Sequence, residues 1–108
     1  MNLGFIGTGK IASSVITGIC KSQIKFKQIT ISSRSKKIST SLKKRFKKIV
    51  VLKDNQEIVN KSNWVFLSVT PKVGEKIIKN LKFKTSQTII SFISTIKLSE
   101  LKKMIKVK

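Results

Sequence analysis

Apolar residues come in short blocks along the whole chain, and the spacing inside the blocks switches between two periods. Leu3, Phe5 and Ile6 form a strand-like run that stops at Gly7; beyond it, Ile11, Val15, Ile16 and Ile19 recur at the spacing of a helix buried along one face. That helix is expected to end near Cys20 to Ser22. Residues 28–32, QITIS, alternate as a second strand, and Ile38, Leu42 and Phe46 stand four apart among lysines as a second amphipathic helix. Residues 49–52 make a brief third strand. Asp54 or Asn55, with Glu57 three or two positions on, reads as the capped start of a short helix ending around Ser62.

Residues 63–69, NWVFLSV, are nearly continuous in apolar character, as a central parallel strand covered on both faces would be. The run stops at Thr70 and Pro71. Proline halts a strand and can open a helix, here one whose apolar face holds Val73, Ile77, Ile78 and Leu81. TIISFI over 88–93 is a fifth strand. A last helix spans 98–105 with Leu101 and Ile105 inward, and Val107 and Lys108 read as the first residues of a sixth strand.

Strands and helices therefore alternate throughout, with no repeat, linker or low-complexity segment. The pattern calls for an α/β fold, a Rossmann-type doubly wound parallel sheet with helices on both faces. In such a sheet the ligand lies across the carboxyl ends of the strands, at the point where strand order reverses. That edge should hold Gly7, Thr8, Gly9 and Lys10, then Ser33, then Ser68, Val69, Thr70 and Pro71, and finally Ser94.

The first of these places has the most definite chemistry. Gly7, Gly9 and Ala12 form G-x-G-x-x-A between a strand and a helix. Gly7 permits the tight turn, Gly9 lets a phosphate approach the backbone, and Ala12 lets helix and strand pack closely. Free N–H groups at the positive end of the helix suit a pyrophosphate. The second place is Ser32-Ser33-Arg34-Ser35-Lys36-Lys37, after the second strand. An NAD-binding unit carries an acid there for the ribose 2′-hydroxyl, but no carboxylate precedes Asp54. Hydroxyls and cations stand in its place, and arginine holds phosphate by paired, charge-assisted hydrogen bonds. NADP(H) is favoured over NAD(H).

Composition narrows the rest. The 108 residues carry 24 Lys and Arg against four Asp and Glu, a formal charge of +20. Such a charge attracts phosphate polymers without regard to sequence. Base reading needs arginine forks and exposed aromatics; here Arg34 and Arg45 are the two arginines, tyrosine is absent, and lysine is spread over the chain. No specific nucleic-acid partner is expected. Heavy use of Lys, Ile and Asn is also what an AT-rich coding sequence yields. Cys20 cannot form an internal disulfide and reads as a buried thiol, consistent with a reducing compartment. No run reaches the roughly 20 apolar residues of a membrane span, and the start lacks signal-peptide character, so a cytoplasmic protein with no membrane partner is expected. Histidine is absent, and Asp54, Glu57, Glu75 and Glu100 are scattered. An imidazole base and a His/Cys metal site are thereby excluded for this chain, and the scattered carboxylates suggest no paired-carboxylate site.

These residues support a family resemblance. GFIGTGKIASSVITGI closely resembles the opening of pyrroline-5-carboxylate reductases, where GFIG-x-G-x-M-A and a later helix glycine recur; Ile11 replaces the methionine and Gly18 matches. SSR at 32–34 resembles that family's NADP-phosphate loop, DNQE at 54–57 its Asn-containing turn beside the adenosine ribose, and FLSVTP at 66–71 its LAVKP segment. TIISFIST stands where the family has an I-S-x-A-A-G strand end next to the nicotinamide. The similarity runs over residues 1–108 and covers only the cofactor domain of such an enzyme.

The resemblance implies NADP(H) as cofactor, with Ile6, Gly7, Thr8, Gly9, Lys10 and Ile11 at the pyrophosphate. Ser33, Arg34 and Asn55 would hold the adenosine ribose and its phosphate. Ser68, Val69, Thr70 and Pro71, with Phe92, Ile93 and Ser94, would lie on the nicotinamide side. It implies hydride transfer from NADPH to the C=N bond of 1-pyrroline-5-carboxylate, or a related imine, giving proline. Two departures stand out: Thr70 replaces a lysine, and Phe92 to Thr95 replace small residues that leave room for nicotinamide and substrate. In the family, substrate-carboxylate contacts and the dimer interface come largely from a C-terminal helical domain absent from this chain. No catalytic residue is assigned, the isolated domain is expected to be inactive, and a homodimer or higher oligomer belongs to the full-length enzyme. Two other readings stay open: the NADP-binding domain of a β-hydroxyacid dehydrogenase-like enzyme, from which the VTP segment tilts the reading away, and a non-catalytic basic nucleotide-binding module that has kept the fold without the chemistry.

Overall fold

The structure, a computed structural model, describes residues 1–7, 9–33, 35–93 and 97–107, without the side chains of Pro71, Leu98, Leu101, Met104, Lys106 and Val107. Strand β1 (Asn2–Ile6) is followed by α1 (Lys10–Lys21), β2 (Gln28–Ser32), α2 (Lys36–Arg45), β3 (Ile49–Leu52) and α3 (Asn55–Asn60). Then come β4 (Trp64–Leu67), α4 (Pro71–Lys79), β5 (Lys82–Phe83), β6 (Thr88–Ser91), α5 (Leu98–Met104) and β7 (Lys106–Val107). Five strands form one parallel sheet in the order β3-β2-β1-β4-β6.

Alternation along the strands sorts their side chains onto the two faces. Leu3 and Phe5 of β1, Ile29 and Ile31 of β2, Ile49 of β3 and Phe66 of β4 meet Ala12 and Ile16 of α1 and Leu42 of α2. Ile6, Val65 and Leu67 point the other way, onto Ile58 and Val59 of α3 and Ile78 of α4. Each such aliphatic side chain, fully withdrawn from water, contributes about 1.5–3 kcal/mol before the entropy of ordering is set against it. Helices thus cover both faces, as a doubly wound sheet requires. On the α1–α2 face Phe5 and Phe66 stack with centroids 4.5 Å apart, and Phe92 continues the stack 6.1 Å from Phe66.

The expected elements are present, with corrections at their ends. The fourth strand is shorter than 63–69, because Ser68 turns out of the ladder to bond the end of β1. Trp64, at that strand's amino end, is 38% exposed, so full cover on both faces begins only at Val65. The third helix closes at Asn60, ahead of Ser62, whose hydroxyl instead turns back to the Ile58 carbonyl. The fifth strand of the sheet stops at Ser91, whose hydroxyl accepts from the Ile93 amide and bends the chain.

Strand β5 was not foreseen: Phe83 is fully buried, and the Gln56 side chain pairs with both backbone groups of Lys82 at 2.9 Å. The last strand covers Lys106–Val107 and joins β5 in a separate two-stranded parallel sheet, so it does not add a sixth strand to the main one. Lys108 lies outside the described residues. Cys20 is half-buried rather than buried; partial burial pushes its thiol pKa up, against the opposing pull of Lys48 and Arg45.

Candidate functional site

The sheet order reverses between β1 and β4. From β1 the chain leaves toward β2, and from β4 toward β6, so the loops after these two neighbours diverge and open a crevice at the carboxyl edge. Gly7 begins the first loop with φ at +95°, where an L side chain is strained. A Cβ on Gly7 would also come within 2.7 Å of the Ser68 carbonyl oxygen. That close approach is held by Ser68, whose hydroxyl donates to the carbonyls of Ile6 and Gly7 at 3.1 Å and whose amide donates to Ile6 at 2.9 Å. At Gly9 the opposite holds: a Cβ would meet nothing within 4 Å, so the backbone lies open to an approaching group. Ala12, one turn on, is fully buried against the sheet.

Gly9 is also the N-cap of α1, Ser35 that of α2 and Thr70 that of α4. None of the three makes a side-chain cap hydrogen bond, and none of these helices has an acid in its first turn. First-turn amides have no acceptor within their own helix, and each helix start carries roughly half a positive charge. All three caps line one cleft of about 420 Å³, together with Gly7, Ser68, Val69 and Val73. A second cleft of about 380 Å³ shares Gly9, Ser68, Val69 and Thr70 with the first and is finished by Lys10, Ile11, Phe92 and Ile93. The two clefts adjoin across these four shared residues and together make up the groove, with helix starts along one part and an apolar wall at the other. Phe92 is fixed there by its stack on Phe66, and Ile11 is 57% exposed.

The expected site residues are thus only partly gathered. Gly7, Gly9, Lys10, Ile11, Ser68, Val69, Thr70, Phe92 and Ile93 line the groove. Ile6 is fully buried in the core and reaches the site only through its carbonyl, which Ser68 occupies. Ser33 and Asn55 sit on the same sheet edge, after β2 and at the start of α3, but not in the lining of either cleft; the Ser33 amide donates to Leu52. Pro71 opens α4. Thr8, Arg34 and Ser94 lie outside the described residues. Ser35 and Val73 line the groove without having been singled out as binding residues. The signal for Ser35 was its place directly before a helix; Val73 carried none, because its spacing marks it as apolar face.

A glycine turn, three uncapped helix starts and a strand-order reversal on one groove define a dinucleotide-binding α/β domain. The chain matches the family described as NADP oxidoreductase, coenzyme F420-dependent, over residues 2–95, and it belongs to that family. Over nearly its whole length it resembles the cofactor domain of pyrroline-5-carboxylate reductases, as its glycine-rich opening implied. It is 31% identical over 103 residues to the pyrroline-5-carboxylate reductase of Pisum sativum and 30% over 105 residues to that of Arabidopsis thaliana, covering 92% of this chain in each case. The crystal structure of 1-pyrroline-5-carboxylate reductase from Streptococcus pyogenes superposes with a TM-score of 0.80 at 30% identity, over 98% of this chain and 39% of that one. Plasmodium falciparum pyrroline carboxylate reductase, solved with NADP bound, shares the fold at a TM-score of 0.82 and 23% identity, over 98% of this chain and 38% of its own. The chain spans 37% of the length of the two plant relatives. Among the described residues no helix is long and apolar enough to cross a membrane.

Proposed function

We propose that this chain holds NADP(H) along the groove and forms the cofactor half of a reductase acting on 1-pyrroline-5-carboxylate or a related cyclic imine. The observation that carries the reading is the convergence of the α1, α2 and α4 starts on one cleft beside Gly7 and Gly9. The open space at Gly9 and the start of α1, whose first-turn amides have no acceptor within the helix, suit the diphosphate. Ser35 at the start of α2, with Arg34 and Ser33 in the same loop, suits the 2′-phosphate, and no acid before Asp54 opposes it. Asn55 is assigned to the adenosine ribose.

When bound, NADPH supplies a hydride to the C=N carbon. The chain's own part is to orient and to keep water away: Ile11, Phe92 and Ile93 wall the far cleft with apolar surface, while Ser68, Val69 and Thr70 line it beside them; Pro71, which opens α4 directly after Thr70, is assigned to the same side. Substrate-carboxylate contacts and subunit contacts are assigned to sequence outside the third of the relatives that this chain matches. A cytoplasmic location, with no membrane and no base-specific nucleic-acid partner, completes the reading.

The test is a titration of the chain with NADPH and NADH. NADPH is expected to bind at least tenfold tighter, about 1.4 kcal/mol; equal affinities would refute the loop assignment. Turnover of 1-pyrroline-5-carboxylate by this chain alone is expected to be negligible, and a brisk rate would show the remaining sequence to be dispensable. Because the family description also names coenzyme F420, turnover of that coenzyme by this chain with NADPH would favour it over the imine as the hydride acceptor.

A further inference from the structure

The charge of the molecule is unevenly placed. Asp54, Glu57, Glu75 and Glu100 all lie after Lys53, whereas the first 53 residues hold thirteen Lys and Arg and no acid. In the fold those residues make β1, α1, β2, α2 and β3, one wing of the main sheet. Within that wing α2 concentrates the effect. Its inner face is Ser39 and Leu42, with Ile38 half-buried. Its outer face presents Lys36, Thr40 and Lys44 in one row and Lys37, Ser41 and Arg45 in the next, every one exposed.

Residues four apart on a helix are neighbours about 6 Å apart along its axis. Both rows therefore read cation, hydroxyl, cation, and together they line a shallow groove of about 580 Å³. The Arg45 guanidinium lies over the Phe46 ring, 4.9 Å from its centroid, which holds that charge at the end of the groove. Lys43, on the flank, turns away to donate to the Ile49 carbonyl at 3.0 Å.

The geometry points to the outer face of α2 as a sequence-independent binding site for a nucleic-acid phosphate backbone. Cations release counterions from phosphates, and hydroxyls donate to phosphate oxygens without reading bases. A membrane surface fits less well, because a helix lying on lipid needs large apolar residues on the face it presents, and here Ile38 and Leu42 point inward. The site runs away from the dinucleotide groove, toward the end of α2 opposite Ser35.

The experiment measures anisotropy of a fluorescein-labelled 20-base-pair DNA duplex of arbitrary sequence, titrated with the full chain between 50 and 200 mM KCl. With four cations engaged, log affinity is expected to fall with log salt at a slope of about −3.6. Lys44→Gln/Arg45→Gln should weaken binding at least fivefold at 100 mM KCl and lower the slope by about 1.8. The control Lys76→Gln/Lys79→Gln removes the same charge from exposed positions on α4 and should cost less than twofold. Lys44→Arg/Arg45→Lys, which keeps the charge, should bind as the parent does. If the glutamine pair fails to fold, as judged by circular dichroism, Lys44→Gln against Lys76→Gln carries the same comparison. Equal losses from α2 and α4 would show that net charge alone drives binding and would overturn the site. So would no binding at 50 mM KCl, or binding to phosphatidylserine-containing vesicles without binding to the duplex.

Discussion

Helices α1, α2, α3 and α4 all start on the carboxyl edge of the sheet, and they start in two different ways. Helix α3 supplies its own negative charge: the Asp54 carboxylate accepts from the Gln56 amide at 3.2 Å, and Glu57 stands in the first turn. Helices α1, α2 and α4 start with no side-chain cap bond and no acid in the first turn. A side-chain cap contributes about 1 kcal/mol, so three helices forgo a stabilisation that the fourth takes. Their caps are also the ones lining the groove. The difference fits the proposed reading: the start that carries its own negative charge is the one to which no phosphate is assigned, and the three left positive are those that line the groove.

Substitutions can break or sharpen that contrast. The largest effect is expected at Gly7, where an alanine meets both positive φ and the Ser68 carbonyl. Gly7→Ala should cost at least about 2 kcal/mol, roughly 10 °C in Tm, and abolish NADPH binding; thermal melts and a fluorescence titration check both. Gly9→Asp converts the start of α1 to the α3 kind. The cap position is open and its φ of −92° is ordinary, so stability should hold or rise by a few tenths of a kcal/mol while NADPH affinity falls at least thirtyfold.

Ser35→Asp makes the same change on α2 and should weaken NADPH about tenfold while leaving NADH within threefold, because only the former carries the 2′-phosphate. Equal losses for the two cofactors would place Ser35 elsewhere along the dinucleotide. Asp54→Ala is the converse, removing the one side-chain cap among these four helices; it should lower stability by about 1 kcal/mol, about 4–8 °C in Tm, and leave NADPH affinity within twofold. A large loss of affinity there would mean that capped and uncapped starts serve the ligand alike.

Much of this was legible before folding. The Gly7-x-Gly9-x-x-Ala12 turn, the alternation of strand and helix periods, and a cap at Asp54 or Asn55, which the structure places at Asp54, are local signals, carried by residues within a few positions of one another. Phe66, whose ring joins Phe5 to Phe92, could be read as buried but not as the centre of a stack, because its partners, one in β1 and one just past β6, lie 61 and 26 residues away in the chain. Ser68 was placed at the site by topology, yet its task of clasping the Ile6 and Gly7 carbonyls depends on β1 and β4 being neighbours. Strand β5 escaped because two residues carry no period, and what holds it is a glutamine side chain standing in for a strand.

What the amino-acid order settled alone is the succession of elements apart from β5, the doubly wound class, the glycine turn and the lack of an acid to hold a ribose 2′-hydroxyl. These follow from backbone sterics, side-chain periodicity and charge, which act over one or two turns of chain. Tertiary structure alone decided that the caps of α1, α2 and α4 open on a single groove and that Ser35 lines it while Ser33 does not. It also decided that the last strand joins β5 instead of extending the main sheet. Those outcomes are set by which strands pair and by the space left between the loops that follow them, and such distances exist only once the sheet has formed.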